Sequence, residues 1–220
     1  MKWLRSHALL AVFIACSCLA QAPGAKPAAR TIIWSPPEVG WWDNMPRPTV
    51  SKEMIGALRV ANMPIVLEET KLEDAQKRFH GAFGDSGDAG DALGWLCLHG
   101  SNKDGPWILW LTSSEIDGPG IGGFQWRRRS LHETPDRRCS KLPEGKGGIE
   151  LPIPLHLGMT EADVQKVLGR PTVTRGKTLF FCHEHKRVIR KENYTVSNGV
   201  AIVLRDGVVL AIEVAKTTSN

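Results

Sequence analysis

A chain of 220 residues, 42% of them hydrophobic, has the composition of an ordinary globular protein and enough length for one sizeable core or two small ones. It holds 28 Lys and Arg against 23 Asp and Glu, a formal charge of +5 that falls to +3 if residues 1–20, with Lys2 and Arg5, are removed. An excess that mild does not point to nucleic acid.

Met1-Lys2-Trp3-Leu4-Arg5 supplies a positive start, Ala8 to Ala15 an apolar stretch, and Ala20-Gln21-Ala22 the small residues of a cleavage site, so residues 1–20 read as a secretory signal peptide. The apolar run from Ala8 to Ala20 is shorter than the roughly 20 residues a spanning helix needs, and no transmembrane helix is expected after its removal. Phe13-Ile14-Ala15-Cys16 resembles a lipoprotein cleavage box, with Phe13 where Leu is preferred. Lipidation of Cys16 is therefore the alternative to simple cleavage, and would leave the protein on acyl chains. Either route leads to the periplasm or the outer membrane. Three cysteines (Cys97, Cys139 and Cys182) remain in an oxidising compartment, so at most one internal bridge forms.

Residues 21–64 read as an extended Pro- and Trp-rich segment. Gln21 to Arg30 is a flexible leader, and Thr31 to Pro48, with Trp34, Trp41 and Trp42, is an extended strap lying against the body. A short helix capped by Ser51, carrying Met54, Ile55 and Leu58, is predicted to end before Pro64.

An internal repeat follows. Asp74-Ala75-Gln76-Lys77-Arg78-Phe79 matches Asp163-Val164-Gln165-Lys166-Val167-Leu168 at an offset of 89 residues, and Asp117-Gly118 matches Asp206-Gly207 at the same offset. In the second copy Thr160 caps a helix and is answered by Asp163; Val164, Val167 and Leu168 share a face, Gly169 takes the left-handed end, and Pro171 stops the helix. Thr70 with Glu73, then Ala75, Phe79 and Gly81, follow the same logic in the first copy. The strands expected after the first helix are Trp95 to Leu98, Trp107 to Leu111 and Ile121 to Trp126. After the second they are Lys177 to Cys182, Val200 to Leu204 and Val208 to Ile212, with a hairpin at Arg205-Asp206-Gly207. The expected fold is α+β, two tandem units over residues 65–130 and 155–216, each with short helices packed on an antiparallel β-sheet and joined by a linker over 131–154.

Leu155-His156-Leu157-Gly158-Met159-Thr160, Leu168-Gly169-Arg170-Pro171 and the closing Leu204-Arg205-Asp206-Gly207-Val208-Val209 make the second copy resemble the BamE-like (SmpA/OmlA) envelope domain. The order and spacing carry the resemblance, because each element alone is ordinary capping and turn chemistry. It implies a non-catalytic part of a bacterial envelope protein. Tandem copies resemble the arrangement of β-lactamase inhibitory protein, which implies a protein-binding sheet surface. The family's aromatic middle strand is replaced here by Leu179-Phe180-Phe181-Cys182.

Cys182-His183-Glu184-His185 is the best metal-like cluster, since a strand would put Cys182 with Glu184 on one face and His183 with His185 on the other. No second cluster stands at a recognisable spacing, so the favoured reading is a polar strand end running into the basic loop Lys186 to Lys191. Gly118-Pro119-Gly120-Ile121-Gly122-Gly123 matches a dinucleotide fingerprint in form only, because the β-rich Phe124-Gln125-Trp126 follows where a helix should begin. No cofactor is expected. Ser113 and Ser114 beside Glu115 lack a histidine tied to them by any motif, and the protein is read as a non-enzyme. The leading expectation is a module that binds another envelope or secreted protein, with Trp107, Trp110, Trp126, Arg127 and Arg128 as candidate contacts. The rival is a metal-binding or metal-dependent protein using Cys182, His183 and His185.

Cys139 begins the linker leaving the first unit and could pin it back onto the sheet that holds Cys97, so these two are the expected bridge. Closing a loop of about 40 residues contributes about 3–4 kcal/mol in the chain-entropy model. Peptide mapping of the unreduced mature protein is predicted to yield Cys97 linked to Cys139, and a Cys97–Cys182 peptide would refute the pairing.

Overall fold

The computed structural model describes residues 30–37, 55–88, 92–115, 118–143 and 148–219. The expected signal peptide, Cys16, Trp41, Trp42, Asp117 and the Ser51 cap lie outside them. In chain order the elements are β1 (Thr31–Ile33), β2 (Ala57–Val60), β3 (Met63–Val66), α1 (Leu72–Phe79), β4 (Phe83–Ser86), β5 (Leu93–Asn102), β6 (Gly105–Ser114), β7 (Gly123–Arg128) and β8 (Glu133–Pro135). There follow β9 (Ser140–Lys141), β10 (Ile149–Glu150), α2 (Glu161–Leu168), β11 (Val173–Arg175), β12 (Thr178–Ile189), β13 (Glu192–Arg205) and β14 (Val208–Ser219). Among the described residues no helix is long and apolar enough to cross a membrane.

Two tandem α+β units are not what forms. The protein is mostly β, and a single antiparallel sheet runs β11-β12-β13-β14-β7-β6-β5-β4, with β9 pairing in parallel beside β5 as the ninth strand. Each helix is followed by four strands, but the last strands of the two runs, β7 and β14, pair from Ala211↔Arg127 to Ala215↔Gly123. That pairing removes two edges that separate units would have left open. It also merges the cores. Leu72, Ala75 and Phe79 of α1, Val164 and Leu168 of α2, and the inward residues of β5, β6, β7, β12, β13 and β14 belong to one buried cluster. Two helices of eight residues each could not persist alone, and the shared sheet is what holds them.

The helix ends show which local signals held. Thr160 Oγ1 accepts a hydrogen bond from the Asp163 amide at 3.2 Å and donates to the Asp163 carboxylate at 2.7 Å, and Gly169 follows α2 with a φ of 85°. The first helix departs from that pattern. Its N-cap is Lys71, with no side-chain cap, because Thr70 Oγ1 is occupied by the Val66 amide at 2.9 Å. His80, and not Gly81, takes the left-handed position at a φ of 57°. The equivalent pairs Lys77–Asp74 and Lys166–Asp163 nevertheless recur on the two helices at 3.5 and 2.8 Å.

The helix expected before Pro64 is instead the β2–β3 hairpin, turned by Ala61 and Asn62 at positive φ. Pro64 is tolerated because β3 is an edge strand of the small β10-β2-β3 sheet. Leu58, Val60 and Ile65 of this hairpin enter the main core. On the opposite face of the large sheet, Ile33 and Trp34 pack with Trp95, Cys97, Ile108, Trp110 and Cys139. Part of the expected strap is therefore seen: β1 lies beside β8, Trp110 Nε1 donates to the Trp34 carbonyl at 2.9 Å, and Gln125 Nε2 donates to that of Pro37 at 2.9 Å. Cys97 and Cys139 form the disulfide, with their Cα atoms 4.6 Å apart.

A Cβ added at Gly123 would lie 2.6 Å from the Val214 carbonyl oxygen, directly at the junction of β7 with β14. Gly123→Val is predicted to destabilise the fold by about 1–3 kcal/mol. In urea titrations followed by tryptophan fluorescence and by circular dichroism, wild type is expected to unfold in one coincident transition. Two separated transitions would contradict a shared core.

Candidate functional site

The tryptophans expected at a partner surface are in the interior. Trp107, Trp110 and Trp126 are no more than 2% exposed. Strand alternation aims Trp107 and Trp126 at the helices, with Leu109 between them in register, while Trp110 faces the strap. Trp107 also covers its cross-strand partner Gly100, where an added Cβ would meet the indole at 2.5 Å. Their apolar area is spent on packing, so they are core residues and not partner contacts.

Arg127 is likewise committed internally. Its guanidinium grips Glu133 with Nη1 at 3.0 and 3.1 Å from the two carboxylate oxygens, and it sits 5.5 Å over the Trp110 ring. Such a fork is geometrically specific, and it fastens β8, hence the strap, to the sheet. Arg129 donates to the Glu133 carbonyl, and Arg128 is half-buried with its guanidinium close to Gly158. Nearby, Arg138 stacks 4.0 Å over Trp34 and pairs with Asp136 at 2.8 Å. The Arg138 guanidinium holds the Asp136 carboxyl down at about 2.

The Cys182-His183-Glu184-His185 cluster divides as strand geometry requires. Phe181 of β12 faces the main core, so His183 and His185 continue that face, with ring centroids 5.5 Å apart. Phe180, Cys182 and Glu184 belong to the other face. Among the described residues no group of three or more His, Cys, Asp or Glu side chains is placed to hold a metal ion. The Cys182 thiol is half-buried, and burial pushes its pKa up against an opposing contact from Thr172, so it is poorly suited to thiolate chemistry.

The surface that sequence reasoning missed begins at this cluster. The basic stretch Lys186 to Lys191, read as a loop, is the outer part of a hairpin in which β12 pairs with β13 from Thr178↔Val203 to Ile189↔Glu192. β14 leaves β7 after Ala215 and continues beside β13 to the pair Thr195↔Ser219. β12, β13 and β14 together thus run on past the seam as an arm. The base of the arm is tied down. Asn198 is buried, accepts from the Ile55 amide at 2.9 Å, and donates to the Ile55 and Ala215 carbonyls at 3.1 and 3.0 Å. Lys216 pairs with Glu68 at 2.9 Å, and Thr218 donates to the same carboxylate at 2.9 Å. Toward the tip, Lys186, Arg187, Arg190 and Lys191 are exposed, and Val188 is 67% exposed. Glu192 accepts from the Tyr194 hydroxyl at 3.0 Å. The β-branched pairs Val188-Ile189 and Thr195-Val196 were the available signals.

The chain matches no family model, no curated protein and no solved structure.

One titration is placed to read out this framework. His99 of β5 is half-buried, and burial first, then the charges of Arg129 and Lys141, lower its pKa from 6.5. The folded state therefore binds fewer protons at this site than the unfolded chain. Its contribution is intact above pH 6.5 and is lost as pH falls below it. Chemical denaturation between pH 7.5 and 5 is predicted to show stability falling with pH in wild type and a flatter curve in His99→Gln. Parallel curves would refute the assignment.

Proposed function

We propose that the protein is an exported, non-enzymatic protein-binding module of the bacterial envelope, which engages another envelope or secreted protein through the β12–β13 arm. The arm is the observation that carries this reading. Its base is fixed by Asn198 and Glu68, so the tip is presented without much ordering cost on binding. The tip offers four cations, Lys186, Arg187, Arg190 and Lys191, around the exposed apolar Val188. Such a surface attracts an acidic partner at long range and then buries apolar area against it.

The N-terminal residues 1–20 support export, and the Cys97–Cys139 bridge fits an oxidising compartment such as the periplasm. A local observation supports kinship with BamE-like domains. The Gly158-Met159-Thr160 start and the closing Val208-Val209, about fifty residues apart, meet: the Gly158 amide donates to the Val209 carbonyl and the Val209 amide to that of Met159, both at 2.8 Å. Thr160 bridges to Val208 beside them. The two ends of the motif thus close on one another.

Affinity capture from envelope and secreted fractions tests the reading, with the mature chain compared against Arg187→Glu/Arg190→Glu/Lys191→Glu. Wild type is predicted to retain a discrete protein, and the triple variant at least tenfold less of it at an unchanged melting temperature. Equal retention would remove the arm from the contact, and no retained protein would refute the binding role.

A further inference from the structure

We propose that the outer edge of β12, from Glu184 to Val188, receives an additional β-strand from an acidic, extended segment of the partner protein. This inference rests on the binding-module reading and specifies how the arm would bind.

The hydrogen-bonding direction of the edge follows from two contacts. The Thr172 amide donates to the Phe180 carbonyl, and the Cys182 amide donates to Thr172 Oγ1 at 3.1 Å. The backbone groups of Phe180 and Cys182 therefore point away from β13. Strand alternation turns those of Glu184, Lys186 and Val188 the same way. Among the described residues, β11 pairs with β12 only at Thr178, Leu179 and Phe180. Past Cys182 no described strand takes up this row of donors and acceptors. A sheet edge of this kind is a template for strand addition.

Charge selects the occupant. Lys186, Arg187, Arg190 and Lys191 surround the edge, while the carboxylate of Glu192 is engaged by Tyr194. A second copy of this chain, pairing edge to edge in the register centred on Lys186, would set Lys186 against Lys186, and like charges directly opposite destabilise a strand pair. An extended segment with alternating acidic and apolar residues instead adds a carboxylate to Lys186, whose ammonium already donates to the Thr195 hydroxyl, and covers Val188, because both lie on one face of β12.

The test uses the mature chain and a synthetic peptide alternating Glu and Val, with a Lys and Val peptide as control. Glu184→Pro removes an outward amide where proline is sterically acceptable on an edge, and also removes a negative charge. Simple charge attraction would then bind the acidic peptide more tightly, whereas strand addition would bind it more weakly. Glu184→Gln loses the charge but keeps the amide. The expected result is at least tenfold weaker binding for Glu184→Pro, binding no weaker than wild type for Glu184→Gln, and little binding of the basic peptide. In hydrogen exchange, the Lys186 and Val188 amides should gain protection on adding peptide while that of Arg187, already bonded to β13, stays unchanged. Equal binding by the two variants would overturn the proposal. So would protection of Lys186 and Val188 in the free monomer, or a dimer in sedimentation that Glu184→Pro dissociates. A natural partner captured through the arm and retained by Glu184→Pro would sink strand addition while leaving the binding-module reading in place.

Discussion

The pairing of β7 with β14 is the constraint on which the rest of the molecule depends. Five residue pairs, from Ala211↔Arg127 to Ala215↔Gly123, turn two four-stranded runs into one sheet. Close approach at the end of this seam requires the missing side chain of Gly123, since the Val214 carbonyl occupies the space a Cβ would need. Once the sheet is continuous, α1, α2 and the β2–β3 hairpin have a single apolar face to cover. Their buried residues accordingly form one cluster. Neither half has its own inside.

The two faces of this sheet are covered by different means. One takes helices and a hairpin, held by apolar burial. The other takes the thin N-terminal strap, whose Ile33 and Trp34 pack on the sheet and which directional contacts hold in addition. These are the Arg127–Glu133 fork, which holds β8, and Arg138 stacked on Trp34, which itself meets Trp95 edge to face at 5.8 Å, while the Cys97–Cys139 bridge packs in the same cluster as Ile33. Three of the tryptophans and two of the arginines that look like binding residues in the sequence belong to these two coverings. The surface proposed for a partner is instead the arm, which continues where both coverings stop.

The arm also explains why it is hard to see in the sequence. Its turn is Arg190-Lys191, with φ of 51° and 72°, a two-residue hairpin connection normally written with Asn or Gly. Left-handed conformation costs roughly 1–2 kcal/mol at each such residue, so the turn is held by the strands and not by its own preference. The corresponding turn at Asp206-Gly207, with φ of 53° and 76°, uses the expected residues and is plain in the sequence. The same contrast separates the helices: Thr160 and Gly169 mark α2 accurately, whereas Lys71 and His80 bound α1 without recognisable caps.

Local chemistry was thus decided by the residues themselves. The α2 cap, the Asp206-Gly207 turn, the centres of β5, β6, β7, β12, β13 and β14, and the Cys97–Cys139 pairing all follow from short-range preferences or from a bridge with few alternatives. Only the tertiary structure decided that β7 joins β14, that Trp107, Trp110 and Trp126 turn inward, and that the basic stretch after His185 is strand. These outcomes depend on which edges and faces meet across long separations in sequence. An edge carries the same backbone donors and acceptors whatever its side chains, so its choice of neighbour leaves little trace in the order of residues.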